Sequence, residues 1–346
     1  MNKALARTIA ANVFCSHAFL PGYKKVIHKA RRPHAAVIVN FHQFYQTRGD
    51  FLAKGPCVHT SVEHFDRILK LLRQRFHVIS LDLLVDHLSN DEPLKADSVV
   101  ITMDDGYENN FTLGLPILRK YEIPAILFVA TGFIGTPNLM PMDQAEYLLR
   151  TTSRKEFTWK PLSNAPISLS NFSHRCDVNN RLGCYLKRLP EPQMRSALDE
   201  LAELLDVDLH SGGVRMLTWS QIRSFVEAGM DVGSHGVSHI CMSRLGKQRA
   251  VDELCDSKRL IEKEIGRPVR HFAFPNGTKE DFSDELRQEA KAAGYSSVAS
   301  AEPGVNVPRS TDPLNLQRVG LIGSPEETLL YLERLFYSSS DRQVAR

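Results

Sequence analysis

Several features that would sort a chain quickly are missing from these 346 residues. No apolar run approaches the roughly 20 residues that cross a bilayer. The cysteines, Cys15, Cys57, Cys176, Cys184, Cys241 and Cys255, form no C-x-x-C pair and match no zinc knuckle. They read as scattered, reduced thiols. There is no glycine-rich phosphate loop of either nucleotide-binding type, and no G-x-S-x-G elbow, which disfavours a serine hydrolase. A net charge of +3 is too small to argue for nucleic acid, and none is expected as a partner. Acidic residues are absent from the first 34 positions, which hold Lys3, Arg7, Lys24, Lys25, Lys29, Arg31 and Arg32. That stretch lacks the continuous apolar core and small-residue cleavage site of a secretory signal. Residues 1–35 are expected to be a basic lead-in, solvated or lying on an anionic membrane face. The corresponding expectation is a cytoplasmic protein, peripheral at the membrane through that segment.

What is present is an alternation. Apolar runs such as AVIVNF (Ala36–Phe41), SVVITM (Ser98–Met103) and AILFVA (Ala125–Ala130) read as buried strands. Helical patterns separate them, for example SVEHFDRILKLLRQ from Ser61. A stretch over about 135–217, rich in Ser, Asn, Pro and Arg, interrupts the pattern and reads as an insertion over one end of the fold. The alternation then resumes through MDVGS, RHFAF, SSVAS and LQRVGLI, and closes with the helix SPEETLLYLERLF. Residues 36–338 make the body and 339–346 a tail. Strand alternating with helix implies parallel strands, in an open doubly wound sheet or a closed barrel.

Three unusual stretches fall at the C-terminal ends of expected strands, the edge that carries the active site in parallel α/β folds. TMDDGY places Asp104 and Asp105 side by side. Two adjacent carboxylates resist joint ionisation unless a cation sits with them. SHGVSH supplies His235 and His239, four apart. If the chain turns helically there, both imidazoles face one side and form, with Asp105, a two-His, one-carboxylate cation site. Asp104 is then free to take a proton from water. FAFPNG ends in a tight turn that can present the Asn276 N–H to a developing oxyanion.

With these residues in place, the chain resembles the polysaccharide deacetylases with NodB-type homology, a family of metal-dependent carbohydrate esterases. TMDDGY is similar to the family's T-F-D-D-G-Y, with Met103 for Phe. SHGVSH is similar to H-[ST]-x-x-H, with Gly236 in place of the hydroxyl residue. FAFPNG is similar to F-A-Y-P-x-G. The resemblance runs from Ala36 to about Phe336. It implies an α/β fold, a distorted (β/α) barrel of about seven parallel strands with an inserted segment. It also implies one divalent ion, Zn2+ or similar. Carried over by position, Asp104 is the general base, Asp105, His235 and His239 bind the metal, and Pro275 and Asn276 hold the oxyanion turn.

The chain departs from the family pattern in three places. Ala273 stands where many members have an arginine that pairs with the base. No histidine follows His271, although many members carry a late one as general acid. Gly236 supplies no hydroxyl. Members with the F-A-Y-P form often carry a Tyr-His pair at the end of the first strand, and VNFHQF places His42 there, so the resemblance implies His42 as general acid; Arg318 is expected to orient base or substrate. Tyr107 and Asp143 are candidate substrate contacts. The expected activity is removal of the N-acetyl group from an amino sugar in a polysaccharide or glycan precursor. O-deacetylation or de-N-formylation would use the same groups. A catalytically weak glycan-binding protein on this fold is the alternative from another class.

Overall fold

A computed structural model describes residues 33–46, 58–209 and 215–338. The basic lead-in up to residue 32 and the tail from 339 lie outside the described residues. The strands in chain order are β1 (Ala36–Phe41), β2 (Gln43–Tyr45), β3 (His59–Ser61), β4 (His77–Val78), β5 (Ser98–Asp105), β6 (Ala125–Val129), β7 (Glu156–Trp159), β8 (Ser163–Ser168), β9 (Asp231–Ser234), β10 (His271–Ala273), β11 (Ser297–Ala299) and β12 (Arg318–Gly320). Seven of them form one parallel sheet in the order β11-β10-β9-β6-β5-β1-β12, with β4 added beside β5. The sheet curls until its two ends meet. Leu316, just before β12, donates to Val298 of β11, and Ser300 donates back to Leu316, each at 2.9 Å. The expected distorted barrel is therefore the observed fold.

Period-two alternation explains how this barrel is filled. Val37, Val39 and Phe41 of β1 face outward with Val99, Ile101 and Met103 of β5, packing under the helices. Ala36, Ile38, Val100, Ile126 and Phe128 face inward, and helix Leu81–Ser89 plugs the far end with Leu81, Leu84, Val85 and Leu88. The helices read from sequence form where their patterns place them. Helix Trp219–Glu227 begins with the Thr218–Gln221 capping box. Gly114 and Pro116 turn one expected helix into a π-helical turn followed by a short α-helix, Leu115–Lys120.

The insertion is more regular than its composition suggests. It holds helices Pro141–Thr151, Phe172–Leu186 and Glu191–Leu205 around the β7–β8 hairpin. These elements bury their own apolar cluster, including Trp159, Leu169, Leu182, Leu198 and Leu201. Its polar residues lie mostly on outer faces, which is why the composition resembled a loop.

Candidate active site

Toward the C-terminal mouth of the barrel the inward-facing positions change from apolar to polar. On β1, Ala36 and Ile38 are followed by Asn40; on β5, Val100 is followed by Thr102 and Asp104. These polar groups form one buried ladder. Thr102 Oγ1 donates to Asn40 Oδ1 at 3.0 Å, and Asn40 Nδ2 donates to Asp104 Oδ2 at 3.0 Å. Arg318, at the start of β12, donates from Nη1 to Asp104 Oδ1 at 2.8 Å and from Nε to the Ser300 carbonyl at 2.8 Å. Both members of this ion pair are 2% exposed. Burial alone would raise the Asp104 carboxyl, but the charges of Arg318, His235 and His42 hold it below the usual carboxylate range.

Alternation would aim Asp105 away from Asp104. Instead Asp105 adopts φ +81° at the strand end, and the ladder's alternation breaks there. Both carboxylates consequently meet one imidazole: His235 Nε2 lies 3.4 Å from Asp105 Oδ1 and 3.9 Å from Asp104 Oδ2. His239 Nε2 is 3.0 Å from Asp105 Oδ1. Burial works against ionisation of Asp105, yet the two imidazoles pull it well below the usual range.

The trio Asp105, His235 and His239 fits a divalent cation. Its ligand atoms lie within 4.8 Å of one another. Asp105 Oδ1 is buried and makes no well-formed hydrogen bond despite the two nitrogens crowding it. His235 Nδ1 lies 2.7 Å from the Ala273 carbonyl, which places the proton on Nδ1 and turns the Nε2 lone pair toward the site. The helical turn expected between the histidines does not form. Residues 235–239 are a non-helical loop with Gly236 at φ +78° and His239 at φ +55°. This fold-back, not i,i+4 spacing, brings the imidazoles together.

The turn after β10 lies beside the same site. Asn276 adopts φ +60°, and its side-chain amide donates to Cys241 Sγ at 3.0 Å. Its backbone N–H meets no acceptor among the described residues. The Pro275 carbonyl accepts from Gly277 at 2.7 Å. A Cβ at Gly277 would fall 2.8 Å from the Ala301 nitrogen, so only glycine closes the turn. His42 follows β1 directly, half-buried, and its charge acts on both Asp104 and Asp105.

Tyr107 and Asp143 are brought together: the Tyr107 hydroxyl donates to Asp143 Oδ2 at 3.1 Å. Burial and the Asp105 charge push the Asp143 carboxyl up to about 8. Asp143 rides on the first helix of the insertion, so that segment reaches the site. An open cleft beside His239 and Asn276 is walled by Pro141, Met142, Leu186 and Ile240, with Lys187 and Arg244 also lining it. Sequence reasoning missed Asn40, whose signal was a polar residue at an inward position of an otherwise apolar strand. It left Arg318 between two tasks, and the structure places that side chain on Asp104.

Comparison with known proteins follows the same lines. The family model for polysaccharide deacetylase matches residues 91–298, more than half of the chain. YxkH of Bacillus subtilis (strain 168), a protein carrying the polysaccharide deacetylase name, is 26% identical over 217 residues, 63% of this chain. The match spans about half of that relative, 49% of its length. The Streptococcus pyogenes deacetylase PplD, solved with acetate, superposes with TM-score 0.57 at 18% identity, covering 87% of this chain and 99% of that one. IcaB from Ammonifex degensii gives TM-score 0.55 at 17% identity over 87% and 97% of the two chains. These likenesses establish the shared fold.

Proposed function

The chain belongs to the polysaccharide deacetylase family, and on that premise we propose that it hydrolyses the N-acetyl group of an amino sugar in a polysaccharide or glycan precursor. The observation that carries this reading is one buried constellation at the barrel mouth. An Arg318-paired Asp104 stands beside a cation-fitting trio of Asp105, His235 and His239.

In this reading Asp105, His235 and His239 would hold a divalent cation, Zn2+ or similar, and that ion would supply Lewis-acid chemistry at the site. Asp104 takes the proton from the attacking water. Its two oxygens are fixed separately, Oδ1 by Arg318 and Oδ2 by Asn40, so it enters the reaction ionised and oriented. The Asn276 N–H is available to the oxyanion that develops on the acyl carbon. His42 gives a proton to the departing amine, so that water and amide become acetate and free amino sugar. Arg318 provides the guanidinium that Ala273 lacks, which favours an enzyme over a binding protein on the same fold. Asp143 and the cleft walls contributed by the insertion contact the glycan.

The test is acetate release from N-acetylhexosamine oligomers. The wild-type chain is expected to release acetate, and Asp104→Asn to lose activity about 10²–10⁴-fold while still binding Zn2+. Full activity in Asp104→Asn would remove the assigned base.

A further inference from the structure

Glu253 lies outside the motifs, on helix Lys247–Ile265, and is 3% exposed. A carboxylate buried this deeply is costly unless its lone pairs are used. Its hydrogen-bond partners belong to the loop between His235 and His239, with Arg249 of its own helix close by. Oε2 accepts the backbone N–H groups of Val237 at 2.6 Å and Ser238 at 2.9 Å. Oε1 accepts the Ser238 hydroxyl at 2.7 Å, with Arg249 Nη2 at 3.6 Å. The opposite side of the loop is held by the segment after β6. Thr131 and Gly132 donate their N–H groups to the carbonyls of Gly236 at 3.0 Å and Val237 at 2.9 Å. The loop is thus clamped between a carboxylate on one side and two amides on the other.

We infer that Glu253 is the positioning residue that sets His239 at the proposed cation site, through the backbone of residues 237 and 238. This rests on reading the trio as a metal site. The clamp also explains why a hydroxyl residue is missing at 236. A Cβ there would lie 3.0 Å from Glu253 Oε2, and the backbone has φ +78°. Glycine at 236 and glutamate at 253 are matched. The carboxylate anchors a loop that closes on His239, itself at φ +55°, a conformation that surrounding contacts must impose.

The test measures Zn2+ affinity of the metal-free chain by competition with a chromophoric chelator, with Tm recorded for each metal-free variant. Glu253→Met keeps the side chain's length but removes both acceptor oxygens, leaving the Val237 and Ser238 N–H groups unpaired on that side. Its Zn2+ Kd is expected to rise about 10–100-fold, the usual effect of losing an outer partner of a ligand. Leu254→Ala, the next residue on the same helix and fully buried, opens a core cavity without touching the loop. It should lower Tm and leave Kd within about twofold of wild type. An unchanged Kd in Glu253→Met, or an equal rise in Leu254→Ala, overturns the assignment. Should Glu253→Met fail to fold, Ser238→Ala removes one of the three contacts. A severalfold rise in Kd then supports the inference, and no rise overturns it. Wild-type protein that binds no Zn2+ would instead overturn the metal-site reading itself.

Discussion

Asp104 and Asp105 are neighbours with different surroundings. Asp104 continues the inward stripe of β5 and takes a guanidinium and an amide, whereas Asp105 leaves the stripe at φ +81° and takes two imidazoles. The pairing itself was legible, because two adjacent carboxylates at a strand end call for a cation. The direction of each was not, since it depends on one backbone angle and on Arg318, which is 214 residues away in sequence. The Arg318 charge helps keep Asp104 below the ordinary carboxylate range. Arg318→Met removes that pull, so the Asp104 pKa rises. The acid limb of the kcat/KM profile should then move to higher pH. A limb that stays in place in Arg318→Met would separate the arginine from the base.

At the scale of elements, the barrel strands and most helices were readable because each was written by one local period, whereas the short strands β2, β3, β7 and β8 carried no such pattern. Two features were not local. The loop from His235 to His239 is held by Thr131 and Gly132, 105 residues away for the Thr131–Gly236 pair, and by Glu253 on the helix that follows. The insertion's order comes from packing among helices that share few obvious signals. Leu201, fully buried in that cluster, tests whether it is a true core: Leu201→Ala should cost about 2–5 kcal/mol. Limited proteolysis should then show faster cleavage within residues 141–205. Strand β3 carries a second expectation. Burial first, then the charges of His42 and Arg150, push His59 down to about 4. The unfolded chain, with an ordinary histidine near 6.5, binds the extra proton between those values. Stability should therefore fall as pH drops from about 6.5 to about 4, by up to about 3 kcal/mol. His59→Gln should flatten the Tm profile across that window; an unchanged slope would contradict the assignment.

For the whole molecule, closure of the barrel gathers its chemistry at one end. The far end is filled by apolar side chains and by an ion network in which His271 Nε2 meets Asp82 at 2.9 Å and Arg270 meets Asp86 at 2.9 Å. Alternating strands and helices left open sheet and closed barrel equally available. The closing contacts run through Leu316, the first residue of the run LQRVGLI; that run's own pattern does not say which strand lies beside it, and it was the family resemblance that pointed to the barrel. Binding of a cation to the folded chain alone predicts a rise in stability of about 2.7 kcal/mol when free metal is 100 times its Kd, visible as a higher Tm with Zn2+ than with chelator. The central claim is that one cation on Asp105, His235 and His239 makes the chain a deacetylase. The direct measurement is acetate release from an N-acetylhexosamine oligomer as Zn2+ is titrated back into chelated protein. The account predicts no release without metal and activity that saturates at one ion per chain. Acetate release undiminished in the chelated protein, or none at any metal loading, would contradict it.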